Sequence, residues 1–224
     1  MNQPLLDATE IETAPNPDNA VIWLHGLGAD GNDFLPIVPE LGMKRAPAIR
    51  FVFPNAPVQP VTINGGMPMR AWYDIRTANL QNQEDEQGIR DSEQLIKALI
   101  ARENERGIPT EKIVLIGFSQ GSAMTLHTGT RLDRKLAGMV GLSGYLPLPD
   151  LLAAERNSAN QDTPIFMGHG LQDPVVVLDR AQAACKLLTK LGYSVTFKTY
   201  NMPHSVCVPE INDIADFLRK VLGH

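Results

Sequence analysis

Short apolar runs alternate with helix-like stretches along almost the whole chain. Residues 20–24 (AVIWL), 49–53 (IRFVF), 112–118 (KIVLIGF), 138–144 (GMVGLSG) and 164–168 (PIFMG) are rich in apolar side chains and lack regular polar alternation. They read as strands buried on both faces. Residues 195–200 (VTFKTY) alternate instead, like a half-exposed strand near a sheet edge. From 84 to about 104, Leu95/Leu99 and Ile96/Ile100 pair at i,i+4 opposite a charged face, and Gly107 and Pro109 end the run. A second helical pattern runs from just after residue 119 to about 131. A third carries Val177, Ala181, Ala184, Leu188 and Leu191 on one stripe. The last turns Ile211, Ile214, Phe217, Leu218 and Val221 inward. Residues 147–163 leave room for a short helix at most, and the stretch before residue 20 reads as a polar lead-in. Strands alternating with helices predict an α/β fold, a mostly parallel central sheet with helices on both faces.

One connection is too long to be a plain turn. Residues 54–74 (PNAPVQPVTINGGMPMRAWYD) are rich in proline and glycine and end in a strand-like 71–73. Long connections inside compact domains are usually functional or disordered. The apolar Val58, Val61, Ile63, Met67, Met69 and Trp72 argue against disorder. The segment suits a flap beside an apolar pocket or an elaborated hairpin with ordinary packing. Its apolar residues fit a pocket wall or a homodimer contact equally well.

The chemistry centres on residues 117–121, Gly-Phe-Ser-Gln-Gly, where a buried strand passes straight into a helix. So sharp a turn strains its central residue and points it outward, with helix N–H groups beneath. Side chains at Gly117 or Gly121 would collide with the turn. A glycine-rich turn with an ordinary surface serine is the alternative. The Ser119 reading therefore requires a base, an acid and an oxyanion site elsewhere.

The loop after the first strand, His25-Gly26-Leu27-Gly28-Ala29-Asp30-Gly31, matches Gly-x-Gly-x-x-Gly. A dinucleotide site would need an acidic residue ending the second strand about 20 residues on, to hold a ribose. That strand ends instead in Pro54-Asn55-Ala56-Pro57. The same loop suits half of an oxyanion hole, a backbone N–H freed by glycines and aimed at developing negative charge.

In a parallel sheet the functional loops gather at the carboxyl ends of the strands. Three such ends carry Ser119, then Asp173, then His204. This order is the one expected of an α/β-hydrolase. His204 would take the serine proton, and Asp173 would hold the imidazole in the useful tautomer. Asp-Pro before a helix is also an ordinary N-terminal cap, the competing role for Asp173. The other histidines fit less well. His127 lies within a helix, His25 belongs to the glycine loop, and His224 is the last residue. His169 would need an acid between positions 119 and 169, where Asp133, Asp150 and Asp162 are not at strand ends.

Composition narrows the setting. At 224 residues the chain suits one domain over residues 1–224. Hydrophobic residues make up 43% and charged ones 20%, the balance of a soluble globular protein. A net charge of −5 argues against nucleic acid or an anionic membrane as the main partner. No apolar run is long enough to span a bilayer, and the start lacks the basic and apolar regions of a signal peptide. Cys185 and Cys207 do not form a disulfide framework, so a cytoplasmic enzyme is expected. Neither histidines nor cysteines show metal-ligand spacing. Asp30, Asn32 and Asp33 resemble part of a calcium loop that lacks its distal glutamate. No metal and no cofactor are expected.

Several motifs together resemble the phospholipase/carboxylesterase family of α/β-hydrolases, which includes carboxylesterases and acyl-protein thioesterases. They are His-Gly-Leu-Gly-x-x-Gly at 25–31, Pro-Asn-Ala-Pro-Val-x-Pro-Val-Thr at 54–62, Trp-Tyr-Asp-Ile at 72–75 and Gly-Phe-Ser-Gln-Gly at 117–121. His-Gly-x-x-Asp-Pro-Val-Val at 169–176 and His204 before the final helix complete the set. The resemblance implies Ser119 as nucleophile, His204 as base and Asp173 as acid, with an oxyanion hole from the N–H groups of Leu27 and Gln120. The expected activity is hydrolysis of short- to medium-chain carboxylic esters through an acyl-enzyme on Ser119. The alternatives are an acyl-protein thioesterase or lysophospholipase using the same triad, and a catalytically silent binding protein on a hydrolase fold. Loop position alone suggests Met69, Trp72, Leu171 and Val175 beside the acyl chain.

Overall fold

The computed structural model describes residues 5–43, 48–77 and 84–223. In chain order its elements are β1 (Ala8–Glu12), β2 (Asn19–Leu24), α1 (Ile37–Glu40), β3 (Ile49–Pro54), β4 (Val58–Val61), β5 (Met67–Arg70) and α2 (Glu86–Glu105). Then come β6 (Ile113–Phe118), α3 (Gln120–Arg131), β7 (Gly138–Leu142), α4 (Pro149–Glu155), β8 (Ile165–Gly170), α5 (Leu178–Lys190), β9 (Val195–Tyr200) and α6 (Val208–Leu222). Seven strands form one sheet in the order β1-β3-β2-β6-β7-β8-β9. All neighbours are parallel except β1, which runs antiparallel to β3.

The alternation of side chains along each central strand divides the core. Val21 and Trp23 face α1 and α6, meeting Phe34, Ile37, Ile214 and Leu218. Ile22 and Leu24 face α2 and α3, meeting Ile96, Leu99, Ala123 and Met124. Both faces are thus covered, which is why these strands are apolar throughout. Helix α3 is buried along its whole length, polar residues included. Its Thr130 hydroxyl donates to the Leu126 carbonyl at 2.7 Å, and His127 meets Glu93 of α2 at 3.2 Å.

Connectivity decides where the site can be. From β2 the chain steps outward to β3, then crosses back over β2 to β6 and continues outward the other way. The loops after β2 and β6 therefore diverge at one place, the crevice where a doubly wound sheet binds ligands. Leu24 pairs with Gly117 there.

The structure departs from the sequence expectations at three points. The polar lead-in contains edge strand β1, stabilised by charge: Glu10 and Glu12 reach Arg106 and Arg50 at 2.8 and 2.9 Å. Residues 71–73 are not a strand; the hairpin β4–β5 precedes them. Its apolar Val58 and Met67 are exposed. The expected helix start near residue 84 is at Glu86. His224 lies outside the described residues. No described helix is long and apolar enough to cross a membrane.

Glu103 of α2 is fully buried; it ties the helix to the sheet through Arg50 of β3 at 2.8 Å and also pairs with Arg106 at the helix's own C-terminus at 3.0 Å. Removing one partner of a buried pair leaves charge uncompensated. Glu103→Ala is expected to cost about 3 kcal/mol, or roughly 6–12 °C in Tm for a chain of this size. Thermal unfolding followed by circular dichroism measures it.

Candidate active site

Ser119 follows β6 and caps α3, with φ 54° and ψ −117°. That backbone is costly for a residue with a side chain, by about 1–3 kcal/mol. Close packing imposes it. A Cβ on Gly117 would overlap the Gly121 backbone, and one on Gly121 would overlap the Leu24 carbonyl. The helix therefore starts against the ends of both β2 and β6, and the residue between absorbs the bend. A serine at a helix start ordinarily caps a free N–H with its own oxygen. Ser119 makes no such bond, which separates it from an ordinary cap.

The loops after β8 and β9 bring the acid and the histidine together. His204 Nδ1–H donates to Asp173 Oδ2 at 2.6 Å, and the Nε2 edge of the ring has no hydrogen-bond partner among the described residues. The other oxygen, Asp173 Oδ1, accepts from the N–H groups of Val175 and Val176, both at 2.9 Å. Helix α5 starts later, at Leu178 with Val177 as its cap, so Asp173 is not capping it. The Asp173 side chain is fully buried and the His204 side chain 17% exposed. The His204 ring sits 4.8 Å from that of Phe118, the residue before Ser119. No hydrogen bond joins the Ser119 hydroxyl to His204 among the described residues. Such bonds commonly tighten only when a substrate is bound.

The glycine loop lies on the other side of Ser119. A Cβ on Gly26 would be 3.4 Å from the Ser119 Cβ. The N–H groups of Leu27 and Gln120 have no acceptor among the described backbone hydrogen bonds, whereas Gly28 N–H donates to Arg70 O at 2.8 Å. Gln120 is the first helical residue, where N–H groups have no intrahelical partner and the helix dipole favours negative charge.

The four residues expected beside the acyl chain divide. Leu171 and Val175 are 52% and 66% exposed on the loop that carries Asp173. Met69 sits beside the glycine loop, its sulfur 3.7 Å from where a Gly28 Cβ would be. Trp72 is different. It is 1% exposed, and its indole N–H donates to the His25 carbonyl at 2.9 Å. It supports the glycine loop from beneath and presents no open surface to an acyl chain. Its polar partner lies 47 residues away in sequence, so the sequence offered only its apolar character. An open depression lined by Asn104, Gly107, Pro109, Thr110, Glu111 and Arg134 lies before β6, at the opposite end of that strand from Ser119. Among the described residues no group of three or more His, Cys, Asp or Glu is placed to hold a metal.

The doubly wound sheet with its strained serine turn at the switch point is that of an α/β-hydrolase. The chain belongs to the phospholipase/carboxylesterase family, which it matches over residues 7–222. It is 40% identical over 205 residues to acyl-protein thioesterase 1 of Yarrowia lipolytica, covering 89% of this chain and 90% of that one. Crystal structures of Arabidopsis thaliana SOBER1 and Zea mays acyl-protein thioesterase 2 superpose with TM-scores of 0.86 and 0.85. The first is 30% identical and covers 91% of this chain and 99% of its own; the second is 27% identical and covers 97% and 99%. The protein is accordingly a serine hydrolase.

Several buried groups have their ionisation shifted by their surroundings. Burial holds His25, His127 and His169 below the ordinary histidine range. For His25 a hydrogen bond acts in the same direction; for His127 and His169 burial outweighs bonds that favour the charged ring. His25 Nε2 accepts from Ala56 N–H at 3.0 Å. His169 Nε2–H donates to Val176 O at 2.8 Å, and His127 Nε2–H to Glu93. Despite its own burial, Glu93 is held down to about 2 by hydrogen bonds from His127 and Lys97. Glu210, in the first turn of α6, is fully buried against Gly168 with neither carboxyl oxygen bonded. Burial, with repulsion from Asp213, pushes it up to about 8.

The signs are opposite. Below about pH 6.5 the unfolded chain takes up protons that the folded histidines resist, so stability falls as pH drops. Between 4.5 and about 8 the folded chain keeps the Glu210 proton that the unfolded chain has lost, so stability falls as pH rises. Glu210→Gln is expected to raise Tm at pH 8.5 and to change it little at pH 5. Equal Tm shifts at both pH values would mean that the carboxyl is already ionised in the fold.

Proposed function

We propose that this hydrolase cleaves acyl thioesters of the kind formed on cysteine side chains, with carboxylic esters of the same acyl groups as further substrates. The carboxylic-ester reading of the sequence is the coarser of the two, because one triad serves both. The reading is carried by the Asp173–His204 pair at 2.6 Å beside an uncapped, strained Ser119. It is made specific by similarity to proteins named acyl-protein thioesterase.

In this mechanism Ser119 Oγ attacks the acyl carbon while His204 Nε2 takes its proton, and Asp173 steadies the imidazolium. The N–H groups of Leu27 and Gln120 bind the oxyanion, each donor being worth about 2.7–4 kcal/mol of barrier in comparable sites. The carbon–sulfur bond breaks and the leaving sulfur takes the histidine's proton. Water, deprotonated in turn by His204, attacks the acyl-enzyme; the acyl–Oγ bond breaks, His204 returns the proton to Ser119 Oγ, and the acid is released. A thiolate leaves with less need of acid help than an alkoxide, so the same residues handle thioesters readily. Met69, Leu171 and Val175 would meet the acyl chain at the rim.

Three measurements test this reading. Ser119→Ala is expected to abolish turnover and labelling by a fluorophosphonate probe. Asp173→Asn should keep the fold and lose about 10⁴-fold in kcat, because the imidazole is then held in the wrong tautomer. Kinetics on an ester and a thioester with identical acyl chains should give the higher kcat/KM for the thioester. A clear preference for the ester would return the protein to the carboxylesterase reading, and turnover that survives Ser119→Ala would overturn both.

A further inference from the structure

The side chain of Gln120 does something its backbone N–H does not require. Its Oε1 accepts from Trp72 N–H at 2.8 Å, and its Nε2–H donates to Tyr73 O at 2.7 Å. Both ends of the amide are thus bonded, and the residue is 2% exposed. Trp72 continues the connection. Its indole N–H reaches the His25 carbonyl at 2.9 Å, and its own carbonyl accepts from the Ser92 hydroxyl. His25 completes it from the other side. Ring Nε2 accepts from Ala56 N–H at 3.0 Å, and Nδ1–H donates to Gly26 O at 2.7 Å. A closed bracket thus runs from the first residue of α3, through the buried segment 72–73, to the residues flanking Leu27.

We propose that His25, Trp72 and Gln120 are positioning residues that fix the separation of the two oxyanion donors, the N–H groups of Leu27 and Gln120. The inference rests on the serine-hydrolase mechanism above and extends it to three side chains outside the triad. The two donors come from different loops, after β2 and after β6. No hydrogen bond of the sheet sets the distance between those loops beyond the last paired residues, Leu24 and Gly117. An oxyanion hole needs its donors within a few tenths of an ångström of where the charge develops. Ground-state binding of an acyl chain makes no such demand. Loosening the bracket therefore weakens binding of the transition state and leaves binding of the substrate almost unchanged.

The test uses the full chain carrying Gln120→Met, which keeps side-chain length and removes both hydrogen bonds. Its kcat and KM are measured on a soluble short-chain acyl thioester. Inhibition is measured with a trifluoromethyl ketone bearing the same acyl chain, which forms a tetrahedral adduct on the serine. The expected result is a fall of about 10- to 100-fold in kcat/KM, a matching fall in affinity for the ketone, and a KM within about twofold of the parent. Unchanged kinetics, or a loss of rate without a matching loss of ketone affinity, would overturn the proposal and leave the bracket a purely structural element. If Gln120→Met does not fold, Trp72→Phe, which deletes the indole bond to His25 and shrinks the buried ring but keeps the backbone bond to Gln120, is judged by the same criterion. Ser119→Ala separates the two levels. Turnover lost there while Gln120→Met stays unchanged overturns the bracket alone, whereas turnover kept there overturns the mechanism beneath it.

Discussion

Helix α3 begins in contact with the backbones of two strands, and the functional end of the molecule depends on that contact. It is possible only because positions 117 and 121 have no side chains. The cost is a strained Ser119, and the cooperative burial of α3 supports it. All twelve residues of that helix are enclosed, so the turn cannot relax without exposing the centre of the core. A hydroxyl in this place cannot fold back to cap the helix. The helix N–H groups are left for something else, and in an α/β-hydrolase that something is the developing oxyanion. Strain, burial and open donors have one geometric cause.

The other two members of the candidate triad are held by a different kind of force. Asp173 is fully buried yet bonded to two backbone N–H groups and to His204, with His169 Nε2 3.5 Å away. A buried carboxylate so surrounded has no room to rotate. It therefore acts as a fixed reference for the imidazole ring. His169 contributes as a neutral group, since its N–H is directed to Val176 O and burial disfavours its charged form. Two histidines thus approach one aspartate, His169 enclosed and His204 partly open to solvent. Burial of one and partial exposure of the other gives them distinct tasks.

The chain order Ser…Asp…His was legible because each residue sits just beyond a strand whose apolar run is easy to see. The alternating face of β9 and the fully apolar β6 were legible for the same reason: local pattern reports burial. Edge strand β1 was not, because residues 8–12 (ATEIE) contain two glutamates whose partners, Arg50 and Arg106, are far away in sequence. The role of Trp72 was misread for a related reason. Its apolar surface suggested a pocket wall, but its position is set by bonds to residues 47 and 48 positions away. Side chains that act through long-range hydrogen bonds leave no periodic trace, and Gln120 is the clearest instance. The sequence suggested its backbone role and gave no sign of its side-chain role.

These attachments bear on where substrate preference should reside. The proposed triad would serve ester and thioester chemistry alike, so discrimination between acyl groups has to come from what surrounds it. Hairpin β4–β5 is the obvious variable element, yet it is not independent of the catalytic loops. Its last residue accepts from Gly28 N–H through the Arg70 carbonyl, and the Arg70 guanidinium donates to Ala56 O at 3.0 Å. Ala56 in turn donates to His25. A change in the exposed tip, where Ile63 and Met67 lie, can alter acyl contacts without disturbing this root, where Val58 pairs with Arg70. A change at Arg70 cannot, because it touches the loop that carries Leu27, one of the two proposed oxyanion donors. Variation in acyl preference is therefore physically cheap at residues 63–67 and costly at Val58 and from residue 70 onward, where the chain enters the bracket around Trp72.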